Sequence, residues 1–72
     1  MLPPPLEAIA ELYKFTAGEV RVLEAMLRVN GVQAIADMLG VAPGTVKTHL
    51  HNVFRKTGTK RQADLVKLVA GL

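Results

Sequence analysis

Residues 32–56 read VQAIADMLGVAPGTVKTHLHNVFRK, and this stretch decides the fold. Ile35, Ala36 and Leu39 recur at helical spacing, so a short helix with one apolar side is predicted over about 32–39. Gly40 ends it, because glycine adopts the left-handed backbone that closes helices without a Cβ penalty. Val41 is expected as an apolar plug in the turn that follows. Pro43 stands where a first helical residue is wanted, since its fixed φ and missing N–H suit that position. From there a longer helix is predicted to about Thr57. Its inward stripe is Val46, Leu50, Val53 and Thr57, at spacings of four, three and four. Gly58 suits its C-terminal cap.

A short helix, a turn of about three residues containing glycine, and a longer helix make the helix-turn-helix pattern. Ala36 is small enough for the two helices to approach closely. On the second helix Lys47, Thr48, His51 and Arg55 point away from the stripe, with Asn52 at the border. Lys47, His51 and Arg55 follow one another at intervals of four and so stack along one ridge. Lysine can donate to guanine O6 and N7, histidine to a purine N7 or guanine O6, and a threonine methyl can touch a thymine methyl. At the helix start the amides of Gly44 and Thr45 are expected to lack helical partners and to carry the positive end of the dipole, which suits phosphate. The Thr45 hydroxyl adds a donor, and Gly44 leaves room for a backbone to come close. Arg55, Lys56, Lys60 and Arg61 supply charge at the far end, where a second phosphate stretch is expected.

The flanking sequence extends this core in both directions. Pro3, Pro4 and Pro5 predict an extended start, after which Leu6, Ile9, Ala10 and Tyr13 form one stripe of a short amphipathic helix over 6–14, with Glu7 and Glu11 opposite. That helix either packs on the domain or bridges to an upstream one. Thr16-Ala17-Gly18-Glu19 is a capping box, with Phe15 and Val20 placed to staple the entry. It opens a helix predicted over about 17–29 with Val20, Leu23, Met26 and Leu27 inward, stopped by Asn30-Gly31. Thr59-Lys60-Arg61-Gln62 reads as a second capping box, opening a last helix over about 60–70. There Ala63, Leu65, Val66, Leu68 and Val69 put apolar surface on more than one side. No segment alternates with the period of a strand. The predicted fold is all-α, a four-helix domain over 15–72 with a short extra N-terminal helix inside residues 1–14.

Composition narrows the function. The 72 residues suffice for one small domain, and without cysteine there is neither a disulfide nor thiol chemistry. Tyr13, Phe15 and Phe54 are the only aromatics, too few for a base-stacking platform on single strands. No apolar run approaches the length that spans a bilayer, and the N-terminus lacks the charged and apolar regions of a secretory signal. A cytoplasmic protein with no membrane contact is expected. The net charge of +3 is unevenly distributed. Residues 1–40 carry three basic and five acidic groups, whereas residues 41–72 carry six basic groups against Asp64 alone. A polyanion would therefore meet the second half.

Other constellations point to the fold rather than to chemistry. His49 reads as a packed histidine at the core edge. With His51 it makes no metal pair, since residues two apart lie about 200° around a helix. Asp37 and Asp64 read as surface carboxylates, Met26 and Met38 as filler, and the glycines as punctuation without a phosphate-loop pattern. No nucleophile, base and orienter come together, so no enzyme, cofactor or metal is expected.

The residues now quoted resemble the LuxR-type (GerE-like) DNA-binding domain of bacterial transcriptional regulators. Phe15-Thr16-x-x-Glu19-x-x-Val22-Leu23 is similar to that family's L-T-x-x-E-x-x-V-L. Ile35-Ala36-x-x-Leu39-Gly40-Val41 is similar to its I-A-x-x-L-x-[IV]. Thr45-Val46-Lys47-x-His49-x-x-Asn52-Val53-x-x-Lys56-x-Gly58 is similar to T-V-K-x-H-x-x-N-I-x-x-K-L-G and is the most specific of the three. Residues 56–66 are similar to a K-T-G-x-x-R-Q-A-x-L-V version of the family's tail. The resemblance implies a third domain helix, here about 43–57, in the major groove of double-stranded DNA.

It implies base contacts from Lys47, Thr48 and His51, and phosphate contacts from Thr45, Arg55 and Lys56. It further implies a homodimer on an inverted repeat through the last helix, with Leu65, Val66, Leu68 and Val69 as the dimerisation residues, although a core role for that apolar surplus is equally open. Family members commonly carry this domain behind a receiver or ligand-binding domain, as the effector domain of a response regulator, while some consist of it alone. Such a protein works at the bacterial nucleoid, with RNA polymerase as a further candidate partner. The chain departs from the pattern at Ala42, where a serine or threonine cap is usual, at Ala34, at Thr57 in place of leucine and at Gln62 in place of arginine. The alternative reading is a protein-interaction module using the same fold; the lysine in the Lys47 ridge argues against it, because interface centres are depleted in lysine.

Overall fold

A computed structural model of the chain describes residues 4–70. Of the extended start expected at Pro3, Pro4 and Pro5, Pro3 lies outside the described residues, whereas Pro4 and Pro5 are instead the first residues of α1, where the fixed φ and missing N–H of proline are tolerated. Among the described residues every secondary-structure element is an α-helix, with α1 over Pro4–Tyr13, α2 over Ala17–Met26, α3 over Val32–Leu39, α4 over Pro43–Thr57 and α5 over Gln62–Ala70. Every helix contributes to one core: Leu6 and Ile9 from α1, Val22, Leu23, Ala25 and Met26 from α2, Ile35 and Ala36 from α3, Val46, Leu50 and Val53 from α4, and Leu65 and Val69 from α5. Helix α2 packs on α3 and α4, which pack on each other, while α1 lies against α5 and α2.

Local signals explain the helix ends. Both predicted hydrogen bonds of the first capping box form: Glu19 N–H donates to Thr16 Oγ1 at 3.2 Å, and Thr16 N–H donates to Glu19 Oε1 at 2.9 Å. Gly40 and Gly58 close α3 and α4 at φ 68° and 71°. Past each of them the next amide folds back, Val41 onto the Ala36 carbonyl and Thr59 onto that of Phe54. Lys14 is the one described non-glycine residue at positive φ, 59°, and it turns the chain from α1 into α2.

Several expectations are corrected by packing. Helix α2 ends at Met26 rather than near residue 29. A turn through Val29 follows it, and Gly31 becomes the N-cap of α3 instead of the stop of α2. Leu27 is 42% exposed, because Val22 and Ala25 take the inward places on that helix. Val41 is likewise exposed rather than plugging the turn. The second capping box does not form. Helix α5 begins at Gln62, and the Thr59 hydroxyl pairs with that of Thr57 at 2.8 Å. The Thr57 hydroxyl also donates to the Val53 carbonyl at 2.9 Å, which is how a polar residue is tolerated half-buried at the end of the inward stripe.

Helix α4 starts without a side-chain cap. Ala42 has the extended geometry of an N-cap, φ −71° and ψ 147°, but no oxygen to accept from the first turn. Ala42→Ser is expected to stabilise the domain by about 1 kcal/mol. For a domain of this size that raises the melting temperature by about 4–8 °C in a circular-dichroism melt. An unchanged melting temperature would mean that Pro43 alone secures the entry.

Candidate nucleic-acid interface

Helix α4 holds its candidate residues by burying the opposite side. With Val46, Leu50 and Val53 in the core, Lys47, Thr48, His51 and Arg55 are all exposed, and Asn52 is half-buried at the border. At about 100° per residue, Thr48 and Arg55 lie near the middle of the outer side, with Lys47 at one margin and Thr45 at the other. The Thr48 hydroxyl donates back to the Gly44 carbonyl at 3.0 Å, which leaves its methyl for contact outward. Neither Lys47 nor Arg55 enters an ion pair among the described residues.

The start of α4 differs in one respect from the expectation. The Thr45 amide donates to the Ala42 carbonyl at 3.0 Å, so of the two amides thought open only that of Gly44 is without a protein acceptor. A Cβ built at Gly44 would meet no protein atom within 4 Å, so its backbone faces open space. The Thr45 side chain is exposed and its hydroxyl makes no hydrogen bond to the rest of the described chain. Beyond the far end of α4, Lys60 and Arg61 are exposed, and Arg61 makes only a long 3.5 Å contact with Asp64.

The structure gives Lys56 a different task from the phosphate contact expected of it. Its Nζ donates to Glu19 Oε1 at 2.6 Å and to the Lys14 carbonyl at 3.0 Å, and it lies 5.9 Å from the centre of the Phe15 ring. Tyr13 stacks on Phe15 at 5.8 Å between centroids, so these aromatics serve packing. Only 21% of the Lys56 side chain is exposed. Burial alone would raise the Glu19 pKa, but the hydrogen bonds from Lys56 and the Thr16 amide outweigh it, and the carboxyl stays below its ordinary value.

Gly18 proves to be a packing residue rather than punctuation. A Cβ there would fall 2.7 Å from His49 Cε1 and 2.9 Å from Nε2, so the imidazole rests directly on the backbone of α2. Together with Arg21, Val22, Leu39, Val41 and Thr45 these two residues line a cleft of about 40 Å³ between α2 and the start of α4. Sequence reasoning had no signal for Arg21, which belongs to neither helix of the helix-turn-helix pair.

On α5 the dimerisation list divides. Leu65 is 0% exposed and Val69 6%, both inside the core of their own chain, so neither is available to a partner. The reason is α1, which packs against α5 and accounts for apolar surface that looked surplus. Val66 and Leu68 are half-buried against the core, and Ala63, Lys67 and Ala70 are exposed.

A comparison with known families fits this geometry. The GerE family, bacterial regulatory proteins of the luxR family, matches residues 14–69. The chain belongs to the LuxR family. It therefore has the fold of the family's DNA-binding transcription regulators, and the match takes in α2 to α5 but not α1. No curated protein and no solved structure matches the chain. No described helix of this LuxR-family domain is long and apolar enough to cross a membrane.

The Glu19–Lys56 pair makes stability depend on pH. A carboxyl whose pKa is lowered on folding adds stability above its unfolded value, about 4.3, and loses it as pH falls through the folded value. Lys56→Met is expected to cost about 2–3 kcal/mol at pH 7, since it leaves a buried carboxylate without its cation. Glu19→Gln should flatten the fall in stability between about pH 5 and pH 3. Urea titrations across that range check both, and equal acid slopes in parent and Glu19→Gln would remove the pair from this role.

Proposed function

We propose that this chain binds double-stranded DNA in a sequence-specific manner and so regulates transcription, with α4 lying in the major groove. The observation that carries the reading is the outer side of α4. There Lys47, Thr48, His51 and Arg55 are exposed side by side on a helix whose other side is locked in the core. In this arrangement Lys47 donates to a guanine, His51 to a purine, and the Thr48 methyl meets a thymine methyl. The Gly44 amide, the Thr45 hydroxyl, Arg55, Lys60 and Arg61 hold phosphates and set the register. Lys56 is left out of the phosphate set because its ammonium holds Glu19.

Lys47→Ala is expected to relax preference at one base pair, by about 1–3 kcal/mol, with little loss on unrelated duplexes. Selection of bound duplexes from a random library, repeated with the variant, reads this directly. An unchanged selected sequence would remove Lys47 from base reading, and failure to enrich any sequence with the parent would remove the function.

Two copies pairing on an inverted repeat, through the side of α5 that α1 leaves open, complete the proposal. Ala63, Val66 and Lys67 lie on one stripe of that helix at intervals that bring them together. Ala63→Glu, at an exposed position, should keep the melting temperature and binding to a single half-site. It should weaken binding to the two-half-site duplex about tenfold or more, by putting a long charged side chain where a methyl lets the two helices approach. Equal binding of parent and variant to the full site would place the pairing elsewhere.

A further inference from the structure

We infer that Arg21, on α2 and outside the helix-turn-helix pair, is a clamp for a phosphodiester group of the bound duplex; this rests on the DNA-binding reading above. Arg21 is exposed and lines the cleft that it shares with Thr45 and His49, beside the N-terminal turn of α4. It also lines a second cleft, of about 180 Å³, between α2 and α3, so its side chain stands where the three helices meet. The two carboxylates of its helix are both engaged elsewhere, Glu24 with Arg28 at 3.3 Å and Glu19 with Lys56 at 2.6 Å. Arg21 itself enters no ion pair or hydrogen bond of its side chain among the described residues.

Position and chemistry then coincide. Thr45 marks the margin of the outer side of α4 that faces α2, where one strand of a groove-bound duplex passes. Arg21 lines the same cleft as Thr45 on that side and is the one lysine or arginine in its lining. A guanidinium offers a planar fork of donors that matches two phosphate oxygens. Gly18 keeps the approach low, because no side chain stands between the imidazole of His49 and the α2 backbone. The DNA footprint of this domain accordingly runs from α4 across the cleft onto α2, and the contact strengthens binding to every sequence alike.

The test uses the full chain, a duplex selected by the parent and an unrelated duplex of equal length, with fluorescence anisotropy over a range of salt concentrations. Arg21→Ala should bind both duplexes about three- to tenfold more weakly at 0.1 M salt, with the slope of log K against log salt lowered by about one for each bound chain. Arg21→Lys should restore the slope and part of the affinity. Arg28→Ala, seven residues on in the turn that follows α2 and already paired with Glu24, should alter neither. If the parent binds its duplex and Arg21→Ala matches it in affinity and slope, Arg21 is surface charge only while the reading of α4 stands. If the parent shows no salt-dependent binding to any duplex, both fall together. Thermal melts of all variants accompany the titrations, and alanine at an exposed helical position is expected to leave them unchanged.

Discussion

The carboxylate of Glu19 joins three parts of the chain that are far apart in sequence. It accepts from the Thr16 amide at the start of α2 and from Lys56 in the last turn of α4, and that lysine also reaches the carbonyl of Lys14 at the end of α1. Buried to 3% exposure, such a group is costly without partners, so the three segments are held to one arrangement. The rotation of α4 about its own axis follows from it. Lys56 turned toward α2 and Val46, Leu50 and Val53 turned into the core leave only one side for Thr48, His51 and Arg55.

The other contacts between α2 and α4 act in the same direction. Gly18 lets the His49 ring rest on the α2 backbone, and Ala36 brings α3 close below. A Cβ at Gly18 would force the His49 ring to shift, and Ala36 is buried in the close-packed core, where added volume is felt by its neighbours. The first half of the chain is acidic in composition, yet its most buried carboxylate is neutralised within the fold. The basic second half is the part left facing outward.

Helix α1 lies outside the residues matched by the family and nevertheless supplies two core side chains, Leu6 and Ile9. Its presence changes the meaning of α5. Leu65 and Val69, which look available on a helix with apolar residues on two sides, are covered from within the same chain, and what remains for a second copy is a narrower strip. In a domain of this size, where little surface is buried in total, an added pair of fully covered aliphatic side chains is a large share of the core.

The sequence by itself determined the helices and several of their ends. The Thr16–Glu19 box, Pro43, Gly40 and Gly58 act over a few residues, and the inward stripe of α4 follows from its period, so all of these are legible locally. The exposed set Lys47, Thr48, His51 and Arg55 is legible for the same reason, as the complement of that stripe. Tertiary structure alone decided which helix met which. The pairing of Glu19 with Lys56 spans 37 residues, and the covering of Leu65 and Val69 depends on α1 arriving from the other end of the chain. The exposure of Leu27 and the nearness of Arg21 to Thr45 have the same origin. Periodicity reports which side of a helix is apolar, but a charge or a second apolar side acquires its partner only when another element is folded against it.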